Sequence, residues 1–324
     1  MLTFYPRTRL DPRSIWAGMI CGVGANLAWG LAFFLPVVVD GADSVALAIG
    51  RYLCFGVVSV SILLARRRRT LVGIGAREWR RAALFSLTGH FGYYLLLVLG
   101  IRLAGATIAT VIMGVLPVAV ALTGGWMRRE IAMSRLVLPL MVVAVGLAGT
   151  YAVELDWGSG IEGRSASQLF AGVGATVLAL ALWTSYALMN ARFLRENPAV
   201  SSANWSTLMG VCALGWALAA LPFAASSGGL DVLELGPIIV SSVVLGVIVS
   251  WLGTVLWNHA SATLPVSIAG QMVVLQVVAG LTYVFVWEAR LPPLIELAGL
   301  ALLIGGVLLA LHRARTWSRS SATD

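Results

Sequence analysis

The chain contains no lysine, and only 11% of its 324 residues are charged. A soluble domain typically carries about 25% charged and roughly 45–50% apolar residues. Here 59% are apolar and the mean hydropathy is +0.91. A water-exposed fold of this composition would have nothing to cover its surface, so lipid must be the solvent for most of the chain. Other absences narrow the function. No Walker motif occurs, which excludes direct ATP coupling. No apolar run carries Asp or Glu near its centre, unlike many proton relays, and neither a pore-filter signature nor an arginine ladder is present. The three cysteines, Cys21, Cys54 and Cys212, lie inside apolar runs without metal-ligand spacing. They read as small hydrophobes, and neither a metal nor any other cofactor is implied.

What the chain does have is apolar runs. A spanning helix needs about 20 apolar residues, and ten runs qualify. They cover Ser14–Pro36, Val45–Ala65, Arg81–Leu103, Ala106–Met127, Ser134–Val153, Gln168–Arg192, Ala203–Ala225, Gly236–Asn258, Leu264–Trp287 and Leu294–Leu311. The longest connections are the basic Arg66–Arg80 segment and a Gly/Ser-rich stretch at Glu154–Ser167. The first apolar run is too long for a signal-peptide core and lacks a small-x-small cleavage site, so it is expected to remain as a helix.

The net charge of +8 comes from 22 arginines, mostly clustered between spans. That distribution marks topology and argues against a nucleic-acid partner. With the N-terminus cytoplasmic, 18 arginines fall on inside segments and three, Arg102, Arg164 and Arg290, fall outside. Arg51 is the one placed within a span. Both termini are therefore expected in the cytoplasm. Five spans on either side of the 154–167 stretch is an odd number, so the second half must run inverted to the first. A weak echo accompanies this: Met272, Leu275, Leu281 and Thr282 lie 159 positions after Met113, Leu116, Leu122 and Thr123, and Glu130 and Glu288 follow the two runs. The expected architecture is all-α and integral to the membrane, with ten transmembrane helices as two inverted five-helix repeats. Its parts are 1–153 (first repeat), 154–167 (external linker), 168–311 (second repeat) and 312–324 (cytoplasmic tail). Inverted repeats recur in transporters, with the binding site at their interface.

Several residues recur in an order that resembles the drug/metabolite transporter superfamily, in its EamA-repeat branch, over nearly the whole chain. They are Trp29-Gly30, Arg51-Tyr52, Pro117 with Arg129-Glu130, Trp183 with Tyr186, Trp257-Asn258 and Glu288. Spans three, six and eight are most similar to aromatic amino-acid exporters of the YddG type. Two departures stand out: Gln276 where the ninth helix often has Pro, and Glu288 without its usual preceding Gly. The resemblance implies a transporter rather than an enzyme, with a cavity lined by spans one, three, four, six, eight and nine, and export of amino acids or similar metabolites.

Polar and aromatic side chains deep in lipid are the candidate site. Asn26, Trp29, Gly30 and Phe33 share a helical stripe, and Asn26 is either interhelical glue or a substrate contact. His90, Tyr93 and Tyr94 gather on one face of the third span; His90 is either a neutral histidine held by a hydroxyl or a substrate or proton contact. Trp183 lies too deep for an interfacial belt and either fills the core or lines a cavity. Gln271, with Ser267 one turn earlier, is a similar case. Arg51 either snorkels to the interface or pairs with a substrate carboxylate. Gly30, Pro117 and Pro265 are candidates for bending.

These readings converge on a multi-pass transporter of the bacterial inner membrane, moving a small-molecule substrate through the lipid bilayer by alternating access. Nothing in them sets an oligomeric state. Two other classes stand as alternatives. A membrane-embedded lipid-modifying enzyme would need a titratable cluster near one interface, and a non-transporting scaffold or sensor would have a dry, packed centre.

Overall fold

The computed structural model describes residues 12–39, 44–71, 74–104, 165–225 and 235–289, with scattered positions between 109 and 146 and between 291 and 309. Every regular element among the described residues is helical. We label them α1 (Pro12–Val38), α2 (Ser44–Thr70), α3 (Ala76–Ala104), α4 (Ala166–Glu196), α5 (Ser202–Ala225), α6 (Leu235–Thr263) and α7 (Val266–Trp287). They answer to the first, second, third, sixth, seventh, eighth and ninth sequence spans. All seven are long and apolar enough to cross a membrane. Pro117, Glu130, the tail, most of the fourth and fifth spans and part of the tenth lie outside the described residues.

The helices outrun the apolar segments. The 29 residues of α3 reach about 44 Å at 1.5 Å per residue, well beyond a hydrocarbon core of about 30 Å. Polar ends continue as helix because arginine is a good helix former once water is available. The clearest correction concerns the basic segment after the second span. Helix α2 runs through it to Thr70, bending at Arg66 (φ −122°, ψ 22°), and α3 resumes at Ala76 under a Gly75–Glu78 cap in which the Gly75 amide donates to Glu78 Oε2 at 2.8 Å. Capping also sets the start of α4, where Ser165 accepts from the Gln168 amide and Gln168 accepts from the Ser165 amide.

Two helices are not α-helical throughout. A π-helical turn occupies Leu87–Phe91 in α3, and a longer one occupies Leu245–Leu252 in α6. Helix α7 is interrupted at Val273, whose amide turns back to Gly270 O at 3.4 Å. Pro265 stands before α7, not within it. It forms, with extended Leu264, the corner between α6 and α7.

Packing follows membrane rules: apolar side chains face out, and small residues let helices approach. Ile20, Leu64, Phe170 and Val286 are all more than two-thirds exposed, which only lipid accommodates. The major pairs are α2 with α5, α3 with α4, α1 with α7, α1 with α6, and α2 with α6. At the last, a Cβ on Gly246 would lie 2.7 Å from Phe55 N and 2.8 Å from Arg51 O, so backbone meets backbone. Gly172 is equally tight, 2.5 Å from Ala104 N.

Candidate functional site

The π-helical turns mark where the candidate site lies. A π-turn loosens the i→i+4 ladder, and such turns occur often at functional sites. Carbonyls in both turns accept from side chains of other helices. Tyr52 on α2 donates through its hydroxyl to His90 O at 2.7 Å, inside the α3 turn. Trp29 on α1 donates through Nε1 to Val249 O at 3.1 Å, inside the α6 turn, and Ser206 on α5 donates to Trp251 O at 3.1 Å. Each bond ties a neighbouring helix to a place where the backbone geometry changes.

An aromatic cluster grows from these anchors. The Trp29 ring stands 5.1 Å from that of Trp257 and 6.1 Å from that of Trp183, while Trp183 and Trp257 are 5.8 Å apart. Trp183 meets Tyr186 edge-on at 6.1 Å, and Tyr186 meets His90 at 5.5 Å. Offset and edge-to-face contacts of this kind are favoured by the ring quadrupoles. The cluster therefore joins α1, α3, α4 and α6 around one point.

The same bundle holds buried polar atoms without partners. His90 Nε2, the Tyr186 hydroxyl, Thr184 Oγ1, Trp257 Nε1, Asn26 Oδ1 and both amide atoms of Gln271 are unpartnered. Leaving a buried polar group unsatisfied costs about 1–3 kcal/mol, so such a concentration in one bundle suits groups that wait for water or a ligand.

Of the sequence-singled residues, Trp29, His90, Tyr93, Tyr94, Trp183 and Arg51 are brought together. His90 is 5% exposed, with its ring 5.6 Å from that of Phe55. Tyr94 pairs edge-on with Tyr52 and Tyr93, each at 6.1 Å. Arg51 does not run to the interface: it is 6% exposed, and its Nε donates to Ser250 Oγ at 2.8 Å. Asn26 is fully buried but uses its Nδ2 within its own helix, donating to Gly22 O at 2.7 Å. Gln271 is 2% exposed and lies beside the α7 interruption. At Gly30 an added Cβ would stand 2.7 Å from Ala279 Cβ and 2.9 Å from Gly280 N, which makes it a contact point between α1 and α7. Phe33 and Ser267 have side chains outside the description, as does Pro117.

Tyr52, Trp257 and Asn258 join the site as residues not singled out in the sequence, although all three sit in the motif pairs that carry the family resemblance. Asn190 is not singled out at all. Asn190 Nδ2 donates to Asn258 Oδ1 at 2.8 Å, and Trp205 Nε1 donates to Asn190 Oδ1 at 2.7 Å. This chain locks α4, α5 and α6 together just beyond the aromatic cluster.

Comparison with known proteins bears on the whole chain. The profile of the EamA-like transporter family matches residues 16–152. The inner membrane protein YtfF of Escherichia coli (strain K12) is 31% identical over 309 residues, covering 91% of this chain and 95% of that protein. A crystallised protein 20% identical in sequence superposes on 93% of this chain and 99% of its own with a TM-score of 0.71, which establishes a shared fold. With the helical bundle, the motif pairs and this near full-length relative all in agreement, the chain belongs to the EamA-like family of transporters within the drug/metabolite transporter superfamily.

Proposed function

We propose that this protein is a secondary transporter of the bacterial inner membrane that exports small organic metabolites, amino acids and aromatic ones among them, by alternating access. Ten helices would form two inverted repeats, 1–153 and 168–311, joined by an external linker at 154–167, with both termini and the 312–324 tail cytoplasmic. The inner-membrane placement draws support from the relative described as an inner membrane protein.

The observation that carries this reading is the pairing of the two π-helical turns. Residues 246–250 lie 159 positions after 87–91, the same offset that relates Met113 to Met272, and they fall inside Leu245–Leu252. Helix packing supports the same exchange. An inverted repeat swaps the third span with the eighth and the first with the sixth. The α3–α4 pair then becomes the α6–α1 pair, and α2–α5 maps onto itself; all three are major contacts. Two halves so related have two equivalent ways to pack, which is the physical basis of alternating access. Asn26, Trp29, Arg51, His90, Tyr93, Tyr94, Trp183 and Gln271 are the proposed substrate contacts, and Gly30, Pro117 and Pro265 the proposed bending points.

Overexpression with efflux measurement across an amino-acid and drug panel tests the function. Export of at least one class, with raised tolerance to it, is expected. Unchanged export and tolerance across the panel would count against transport. Phosphatase fusions in the same strains check topology: activity is expected from a fusion at residue 160 and none from one after residue 324.

A further inference from the structure

Arg51 is a cation buried among helices, and no described acid matches it. Ser250 Oγ takes its Nε at 2.8 Å. The guanidinium carbon stands 5.3 Å from the Tyr52 ring centroid and 5.2 Å from that of Tyr94, so the side chain is held between two aromatic faces. Tyr94 also hydrogen-bonds the side chain, and of the five N–H donors of a guanidinium the remainder face no described acid. The described acids, Glu78, Glu196 and Glu288, all sit at helix ends, and among the described residues none pairs with Arg51. An intramembrane charge is costly unless it is paired, and where it persists it marks a substrate path.

Beside it lies a small apolar recess between α2 and α3, about 10 Å³ in volume, room for one water. Tyr52 and Tyr94 line this recess as well as flanking the guanidinium, and Ala48, Ile49, Phe91 and Leu95 complete most of its wall. The juxtaposition is amphipathic: a planar, bidentate donor next to a hydrocarbon-lined recess. A planar carboxylate matches the fork of a guanidinium. A single cation balances one negative charge, which fits a monocarboxylate better than a phosphate dianion.

Building on the transport reading, we propose that Arg51 is the anion-recognition residue of this site, and that the substrate is a small organic monocarboxylate whose apolar body packs against the Tyr52 and Tyr94 rings at the mouth of the α2–α3 recess. Cationic and neutral drug-like compounds are then poor substrates, because each would leave the guanidinium uncompensated.

The test uses the purified full-length chain and isosteric probes: 3-phenylpropanoate, 3-phenylpropanamide, phenethylamine, L-phenylalanine and dodecanoate. Thermal stabilisation is read in detergent and exchange in proteoliposomes. The short carboxylates are expected to stabilise the wild-type protein and the amide and amine not to. Arg51→Gln is expected to weaken the carboxylate response at least about tenfold, as loss of a partner from a buried charge pair does. Arg51→Lys, which keeps the charge but loses the fork, should retain part of it. Equal responses to carboxylate and amide, an unaltered response in Arg51→Gln, or no carboxylate response at all would overturn the proposal. A response to dodecanoate alone would assign the site to a lipid acid and overturn the substrate half. Carboxylate binding without exchange would instead sink the transport reading and leave the anion site standing. Exchange of phenethylamine that Arg51→Gln leaves intact would do the reverse.

Discussion

Trp205 donates to Asn190, and Asn190 donates in turn to Asn258, so a single amide ties α5, α4 and α6 into one unit. All three residues are fully buried. Hydrogen bonds between membrane helices average about 0.6 kcal/mol and reach about 1.7 kcal/mol, because the unfolded chain in lipid also finds partners. Asn190→Ala breaks two of them and orphans the Trp205 N–H, so a loss of about 2–3 kcal/mol is expected once the unsatisfied group is added. Tyr52→Phe removes one bond, to His90 O, and keeps the ring, which sets its expected cost at about 0.6–1.7 kcal/mol. Unfolding in mixed micelles should rank the two in that order; equal costs would show that the asparagine chain is not a structural lock. Asn190 was hard to find in the sequence for a physical reason. It stands two residues before Arg192, where an apolar run is ending, and a polar residue there reads as an interface residue facing water. Asn26 was easy because it interrupts lipid-soluble sequence mid-span. Depth along the helix axis is legible from sequence, but which side a residue faces near a helix end is not.

At the scale of the element, the spans were legible because lipid demands about 20 apolar residues and little else. The π-helical turns were not, since a segment apolar on every side gives no periodicity from which to detect a change of phase. Their consequence is concrete. An ideal helix sets His90, Tyr93 and Tyr94 on one face. In the structure the α3 turn ends between His90 and the tyrosines, and His90 points to Phe55 and Tyr186 while Tyr94 turns toward Tyr52 and Arg51. The α6 turn rests on Gly246, where the backbones of α2 and α6 meet. Gly246→Leu places a side chain where Phe55 N and Arg51 O already stand, and overpacking of this kind costs about 1–3 kcal/mol or more. The expected result is a lower unfolding temperature together with lost export, as α6 moves away from α2 and Ser250 from Arg51. Gly246→Leu with wild-type export would show that this contact is not needed for function. Gly215 on α5 is the control: nothing lies within 4 Å of an added Cβ there, so Gly215→Leu should leave both measurements near wild type.

At the scale of the whole molecule, the proposed inverted arrangement makes a demand on the end of the bundle where α1 and α3 begin and α2, α4 and α6 finish. That end holds the larger part of one continuous core. Phe193 stacks on Trp205 at 4.1 Å, Phe85 meets Trp205 edge-on at 6.0 Å and Phe193 at 6.3 Å, and Ile15, Leu71 and Trp79 pack around the same cluster. The π-helical turns and the Arg51 pocket lie further along the helices, beyond this plug. If access alternates, the plug must part in every cycle, which separates α3 from α5. Phe85 and Trp205 approach across that seam. In a background with Cys21, Cys54 and Cys212 replaced by alanine, Phe85→Cys with Trp205→Cys can be joined by a short bis-methanethiosulfonate linker. The linked protein should still bind substrate in a thermal-shift measurement, because the site above the plug is untouched. Its export should stop, and should recover when a reductant releases the linker. The unlinked double variant measures what the substitutions cost by themselves, and each single variant treated with the reagent controls for modification alone. Export that continues at the rate of the unlinked variant after full cross-linking would mean that α3 and α5 move as one body, and the substrate would then have to leave by a path that does not cross the α3–α5 seam.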